Sequence, residues 1–430
     1  MRILMRSGKS PDERYSPASA LAINYIGNNL GNLVFTNASH WLMNTANQET
    51  ISSHLRIEPN DADWINENYD AYVIPLANAF RQSFKDKLQA ITDLIKKLDI
   101  PVMVLGVGAQ VPLGNDFSHL KSMDQDVKNF VKAVLEKSAR IGVRGEATKE
   151  YLTLLGFSEV DVIGCPSMFI HGEYVPLNQS GTYSQITSES RIALNFSPYV
   201  RKCESLVERS YKSYPRLDYF VQDIETMQTV VSKTPLESTG KFSGIPNYFQ
   251  HPLFLQGRVR FHVDPISWMN DLRNYEFSFG TRIHGTIAAI TSGVPATLIA
   301  HDSRTTELAE YFGIPYLKAT ELMPETSVSD LFEMWDSSKL LNGHAARFAA
   351  IKNFIEANGF EVATNDVLKS NVSASVNMKE LTATPTISNT RDAKRESHLN
   401  LRNRIEILKY ISKTPKPNLW ERYISPFLKF

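Results

Sequence analysis

From Phe80 to Gly106 the chain reads FRQSFKDKLQAITDLIKKLDIPVMVLG. Phe80, Phe84, Leu88, Ile91, Ile95 and Leu98 recur at helical spacing, which makes one face of a helix apolar. Pro101 then opens Val102-Met103-Val104-Leu105-Gly106, a continuous apolar run suited to a strand covered on both faces. A helix feeding such a strand is the unit of a parallel α/β sheet. The unit recurs: Val127, Phe130, Val131, Val134 and Leu135 mark a helix face before the short strand Arg140–Arg144. Glu146–Leu155 then predicts a helix closed by Gly156, and Val160–Ile163 the next strand.

Residues 178–190, rich in Ser, Thr and Gln, break this rhythm and mark a linker. The strand Arg191–Phe196 starts a second αβ series. Asp264-Pro265 opens a helix to about Tyr275, followed by the strand Glu276–Phe279 and a helix from Gly285 to about Ser292. The strand Ala296–Ala300, a helix Ser303–Phe312 capped by Gly313, and the strand Tyr316–Leu317 complete the series. The expectation is an α/β protein of two Rossmann-like domains facing across a cleft, residues 1–177 and 191–369. The remainder, 370–430, reads as a flexible tether and a C-terminal amphipathic tail. Residues 391–430 carry ten Lys/Arg against four Asp/Glu, interleaved with Leu401, Ile405, Leu408, Trp420, Tyr423, Phe427 and Phe430. Such a segment suits an anionic membrane surface, its own domain or a second subunit in a homo-oligomer.

A chain of 430 residues exceeds what one core usually supports. Its 46 basic and 46 acidic residues cancel, which argues against nucleic-acid binding by bulk charge. Two cysteines, Cys165 and Cys203, are too few for a disulfide framework or a paired zinc motif. The apolar run at the N-terminus is too short for a secretory signal, so the expected location is cytoplasmic, with peripheral contact at the inner face of the membrane through the tail.

The chemistry concentrates in Phe279-Gly280-Thr281-Arg282-Ile283-His284-Gly285-Thr286, at the end of one predicted strand and the start of a helix. Open α/β sheets bind ligands at that end. Gly280 and Gly285 permit close backbone approach, free helix-start amides attract an anion, and Arg282 adds a planar fork. His284 can exchange a proton near neutral pH. Arg304 follows the next strand end, and Gly142-Val143-Arg144-Gly145-Glu146 repeats the strand–Arg–helix arrangement in the first domain. Asn28, Asp70 and Asn78 are candidate acceptor-side residues, and no carboxylate or His cluster suggests a metal.

The run Arg140–Gly156, then Val162-Ile163-Gly164-Cys165-Pro166-Ser167, then Gly280–Gly285 with Ala288, Gly293 and Pro295, resembles the polysaccharide pyruvyl transferase family over roughly residues 22 to 320. The resemblance implies a GT-B-like fold and transfer of the enolpyruvyl group of phosphoenolpyruvate onto a sugar, without a further cofactor. The acceptor it implies is a sugar or lipid-linked oligosaccharide of a surface polysaccharide. It also implies that Arg144 and Arg282 hold the donor's carboxylate and phosphate beside Ile283 and Gly285, that Arg304 assists, and that His284 is the acid. Gly27-Asn28-Asn29-Leu30-Gly31-Asn32 lacks the acidic residue usual in the family's N-terminal turn, and Gly145 and Cys165 stand where Asp is common. Two other readings are a nucleotide-sugar glycosyltransferase, with Glu307 or Glu310 gripping the ribose, and a silent scaffold of the same fold.

Overall fold

A computed structural model describes residues 1–376 except 16, 113–115, 178–182, 228–243 and 248–249. The first sheet contains β1 (Arg2–Met5), β2 (Glu49–Ser52), β3 (Ala71–Pro75) and β4 (Val102–Leu105), in the order β2-β1-β3-β4 and parallel throughout. A parallel bridge between Val107 and Val143 extends it toward the pair β5 (Ile141–Val143) and β6 (Val160–Val162). The second sheet has six strands: β7 (Ile192–Asn195), β8 (Leu217–Val221), β9 (Val259–Phe261), β10 (Phe277–Gly280), β11 (Ala296–Ala300) and β12 (Tyr316–Lys318). Their order, β12-β11-β10-β7-β8-β9, is that of a doubly wound nucleotide-binding sheet, whose winding reverses between β7 and β10.

The helix–strand unit at 80–106 forms with one difference. A 3-10 turn at Gln82–Phe84 leads into the helix Lys85–Lys97, whose Leu88, Ile91, Leu94 and Ile95 are buried. Phe80 lies outside the helix, because its backbone is already paired: its N–H donates to Gly108 O, and its carbonyl accepts from Gln110. Asp86 in the first turn and Lys96 and Lys97 in the last complement the helix dipole. Downstream, the expected strand Arg140–Arg144 is Ile141–Val143, and the helix opened by Asp264-Pro265 ends at Leu272. Asp264 caps that helix by accepting from the N–H groups of Ile266 and Ser267. The Arg282 corner runs straight into the helix Ile283–Thr291, earlier than the expected start at Gly285.

The carboxyl ends of the two sheets face each other. Lys9, beyond β1, contacts Asp264, beyond β9; Leu30 N–H donates to the carbonyl of Gln222, beyond β8; and Val111 N–H donates to Ser303 Oγ, beyond β11. The fold is therefore two Rossmann-like α/β domains across a cleft, GT-B-like. After β12 the chain returns to the first domain. The helix Ser338–Ala357 packs on Ser303–Phe312, donates from His344 to Gly172 O, and sets Phe354 against Gly142 of β5. Ala363 N–H then donates to Leu42 O, and the helix Asn365–Val376 packs against both Gly31–Met43 and Pro265–Leu272. Of the expected linker, 183–190 form no helix or strand and 178–182 lie outside the described residues, as does the basic tail 391–430. Among the described residues no helix is long and apolar enough to cross a membrane.

One buried ion pair ties the domains together: Lys9 Nζ stands 3.2 Å from Asp264 Oδ2, and both side chains are almost wholly buried. Removing one partner of such a pair leaves a buried charge short of its counter-ion. Lys9→Met is expected to destabilise the protein by about 3 kcal/mol in a denaturant titration. Arg14, 3.2 Å from the same oxygen, remains as partial compensation.

Candidate functional site

The side chains at issue project from strand ends at and around the point where the second sheet reverses its winding. Gly280, at the end of β10, has φ +153°, and a Cβ there would meet Asn195 O at 1.7 Å. The glycine lets β10 and β7 end in contact. Asn195 then organises the corner: its carbonyl accepts from Thr281 N–H and its Oδ1 from Arg282 N–H at 3.1 Å. The helix Ile283–Thr291 starts without a side-chain cap among the described residues, so its first amides remain available to an anion.

His284, the second residue of this helix, is buried against the first domain. A Cβ on Gly31 would lie 2.7 Å from its ring, so Gly31 makes room for it. Its Nε2 is 3.6 Å from the Cys165 Sγ, which in turn stands 3.1 Å from Ser167 Oγ. Burial first, then the charges of Arg144 and Arg304, push the His284 pKa down to about 3, so its imidazole is neutral at pH 7.

Arg144 follows β5 and is buried. Among the described residues its Nε and Nη2 have no hydrogen-bond partner. The acidic groups beside it compensate poorly. Burial pushes the Cys165 thiol up, keeping it protonated, and burial likewise raises the Glu307 carboxyl, which already accepts from Thr148 N–H at 2.9 Å and Thr148 Oγ1 at 3.2 Å. A buried guanidinium with unused donors is costly unless an anion meets it.

Other polar groups around the same strand ends share this condition among the described residues: Ser197 Oγ beyond β7, both amide atoms of Gln222 beyond β8, and Arg81 Nε beyond β3. Gln222 lies over the helix start, since a Cβ on Gly285 would be 2.5 Å from its Nε2. His301 follows β11 and stands between Asp302, Arg304 and Arg282, its pKa lowered by burial above all. Sequence reasoning did not find Gln222, Ser197 or Arg81. The strand-end rule alone points to the first two, once β7 and β8 are placed.

The expected residues divide. His284, Arg144 and Arg304 come together, and Ile283 and Gly285 lie in the same corner. Arg282 is committed elsewhere: its Nη2 donates to Asp223 Oδ2 at 2.8 Å and its Nε to Phe196 O at 3.2 Å. Arg304 grips Asp302 through Nε and Nη2. Asn78 lies at the cleft; with its amide oxygen turned to the arginines it accepts from Arg304 Nη1 at 2.8 Å and Arg81 Nη1 at 2.9 Å. Asn28 is exposed with φ +69°, and its carbonyl accepts from Ile224 N–H, so it serves the loop contact between the domains. Asp70 corrects the expectation. It precedes β3 and accepts from Arg2 N–H, at the amino ends of β1 and β3, the side of the sheet away from the cleft. Glu307 is held by Thr148, and Glu310 accepts from the Tyr316 hydroxyl at the surface, so both candidate ribose grips are already engaged. Among the described residues no group of three His, Cys, Asp or Glu side chains could hold a metal ion.

The sequence pattern of the family described as polysaccharide pyruvyl transferase matches residues 51–303, more than half of the chain. No curated protein matches the chain by sequence. In three dimensions it is similar to a putative UDP-N-acetylglucosamine 2-epimerase from Listeria monocytogenes, with 12% identity and TM-score 0.42 over 83% of this chain and 95% of that one. It is also similar to the Methanocaldococcus jannaschii UDP-GlcNAc 2-epimerase solved with UDP-GlcNAc and UDP, at 10% identity and TM-score 0.36 over 94% and 100% of the two chains. Anabaena HepE, solved with UDP and glucose, aligns at 11% identity and TM-score 0.39 over 88% and 99%.

Proposed function

Because the chain belongs to the polysaccharide pyruvyl transferase family, we propose that it moves the enolpyruvyl group of phosphoenolpyruvate onto two hydroxyls of a sugar as a ketal, releasing phosphate. The observation that carries this reading is the buried Arg144 guanidinium, with Nε and Nη2 unpartnered among the described residues, beside a neutral His284. A donor with a carboxylate and a phosphate close together supplies the anions such a place needs.

In this reading Arg144 and Arg304 hold the donor, with the first amides of the helix Ile283–Thr291. Arg282 joins them only by exchanging Asp223 for the donor. Burial, the main cause of the low His284 pKa, persists in the complex, but the donor's negative charges offset the two arginines and attract a cation themselves, so the imidazole gains a proton as the donor binds. His284 gives that proton to the methylene carbon, and C2 becomes oxocarbenium-like. One acceptor hydroxyl forms a C–O bond to C2, and the second displaces phosphate as the C2–O bond to phosphorus breaks. Of the two hydroxyl protons released, one restores His284 and the other leaves with phosphate.

Thermal unfolding of the purified protein with phosphoenolpyruvate, UDP-sugars and GDP-sugars tests the donor class, because a ligand of the folded state raises the melting temperature. A shift with phosphoenolpyruvate is expected, and a shift with a nucleotide sugar alone overturns the reading. The proton uptake gives a second test. Calorimetry in buffers of different ionisation enthalpy is expected to show protons taken up with the donor. The complex then holds more protons than the free protein between about pH 3 and its own higher pKa, so affinity falls as pH rises across that interval and levels off above it. Unchanged uptake in His284→Asn rules out His284 as the group that gains the proton.

A further inference from the structure

Arg81, Arg144 and Arg304, three of the arginines at the cleft, are not equivalent. Arg144 and Arg304 are the charges that depress His284, whereas Arg81 couples to Arg304 and Tyr199. It therefore stands one step outward, on the first domain, in the loop after β3. Its guanidinium carbon is 5.7 Å from the centroid of the Phe84 ring, and Asn78 bridges it to Arg304. Arg304 already has Asp302; Arg81 has no acidic partner among the described residues, and its Nε is buried without a hydrogen bond among them.

Tyr199 comes to the same rim from the second domain, near enough to interact with this cation electrostatically. It lies in the loop after β7, is 59% exposed, and meets the ring of His301 edge-on at 5.8 Å between centroids. A large aromatic side chain left open at the rim of a cleft offers a flat apolar face, and a sugar ring has a matching face of C–H groups. Open ring and unneutralised guanidinium adjoin the donor region without belonging to it.

From this juxtaposition we propose that Tyr199 and Arg81, with Asn78, form the acceptor subsite, and that its ligand is a saccharide carrying a negative group next to the ring that stacks. The inference rests on the pyruvyl-transfer reading for its name as an acceptor site. The chemistry it requires, an anion beside a sugar ring, comes from a phosphate ester, a diphosphate or a uronate carboxylate.

The test is binding of four probes to the full-length protein with phosphoenolpyruvate present: a hexose 1-phosphate, a UDP-hexose, the methyl glycoside of a hexuronate and a neutral methyl hexoside. At least one anionic probe is expected to bind more tightly than the neutral one, and which one does so names the source of the charge. Arg81→Ala is expected to remove that preference, weakening the anionic probe about tenfold to a hundredfold, as the loss of one charge-assisted hydrogen bond does. Tyr199→Ala is expected to weaken charged and neutral probes alike, by roughly threefold to tenfold. Both variants should bind phosphoenolpyruvate as the parent does. Equal binding of all four probes overturns the subsite, and so does a loss of phosphoenolpyruvate affinity in Arg81→Ala, which would make Arg81 a donor residue. A parent protein that ignores phosphoenolpyruvate yet prefers anionic saccharides through Arg81 leaves the subsite standing and removes the pyruvyl-transfer reading.

Discussion

His284→Ala is expected to bind phosphoenolpyruvate nearly as well as the parent and to turn it over about 10²–10⁴ times more slowly, the usual range for losing a positioned general acid. Binding is expected to survive because the charges proposed to meet the donor belong to Arg144 and Arg304, and because the start of the helix Ile283–Thr291 has no side-chain cap from the imidazole to lose. Turnover falls because the side chain that stands beside the imidazole is a poor substitute: Cys165, 3.6 Å from Nε2, has a thiol whose pKa burial raises, so it yields its proton reluctantly. The measurement is single-turnover consumption of phosphoenolpyruvate with acceptor present, beside an equilibrium titration of the donor. A variant that keeps normal turnover removes His284 from the acid role. A variant that loses donor binding as well shows that the imidazole, not the arginines, holds the donor.

Arg144→Met separates stability from function in the opposite sense. The parent keeps a cation buried between a protonated thiol and a carboxyl whose own charge burial disfavours, so its removal relieves a cost. Measured without donor, the variant is expected to melt roughly 2–4 °C higher, the shift that about 1 kcal/mol makes in a domain of this size. The stabilisation that phosphoenolpyruvate gives the parent should disappear. Arg282→Met is expected to do otherwise: it leaves Asp223 and the Phe196 carbonyl without their donor, so the protein weakens even without ligand. A fall in the melting temperature of Arg144→Met would mean that the guanidinium is structural.

Much of the fold was legible because each αβ unit repeats its signal locally. The apolar face of Lys85–Lys97 and the run Val102–Leu105 are long enough to settle period and burial together. The strand β1 was not legible in this way: Arg2–Met5 holds only three apolar residues, Ile3, Leu4 and Met5, too few to settle period and burial. At the site, the Arg282–His284 corner could be read because a strand end, two glycines and a helix start coincide. Which arginine is free could not be read, since that depends on Asp223 and Glu307, 59 residues from Arg282 and 159 from Thr148. Asp70 was misplaced because a strand's neighbours look alike in sequence at either end, whereas only the carboxyl ends face the cleft. Arg81 and Tyr199 gave no local signal, because their meaning comes from the opposition of two domains.

The return of the chain across the cleft bears on how the protein is made. The first domain is closed by residues that leave the ribosome long after it: Phe354 covers Gly142, and Glu361 accepts from Thr45 and Asn47. Domains commonly fold in order of synthesis. Here the N-terminal half must wait, its apolar underside uncovered, until more than 300 residues have emerged, and vectorial synthesis leaves a long interval in which that surface is open to chaperones. A fragment ending before Ser338 should be prone to aggregation even though each of its strands is present.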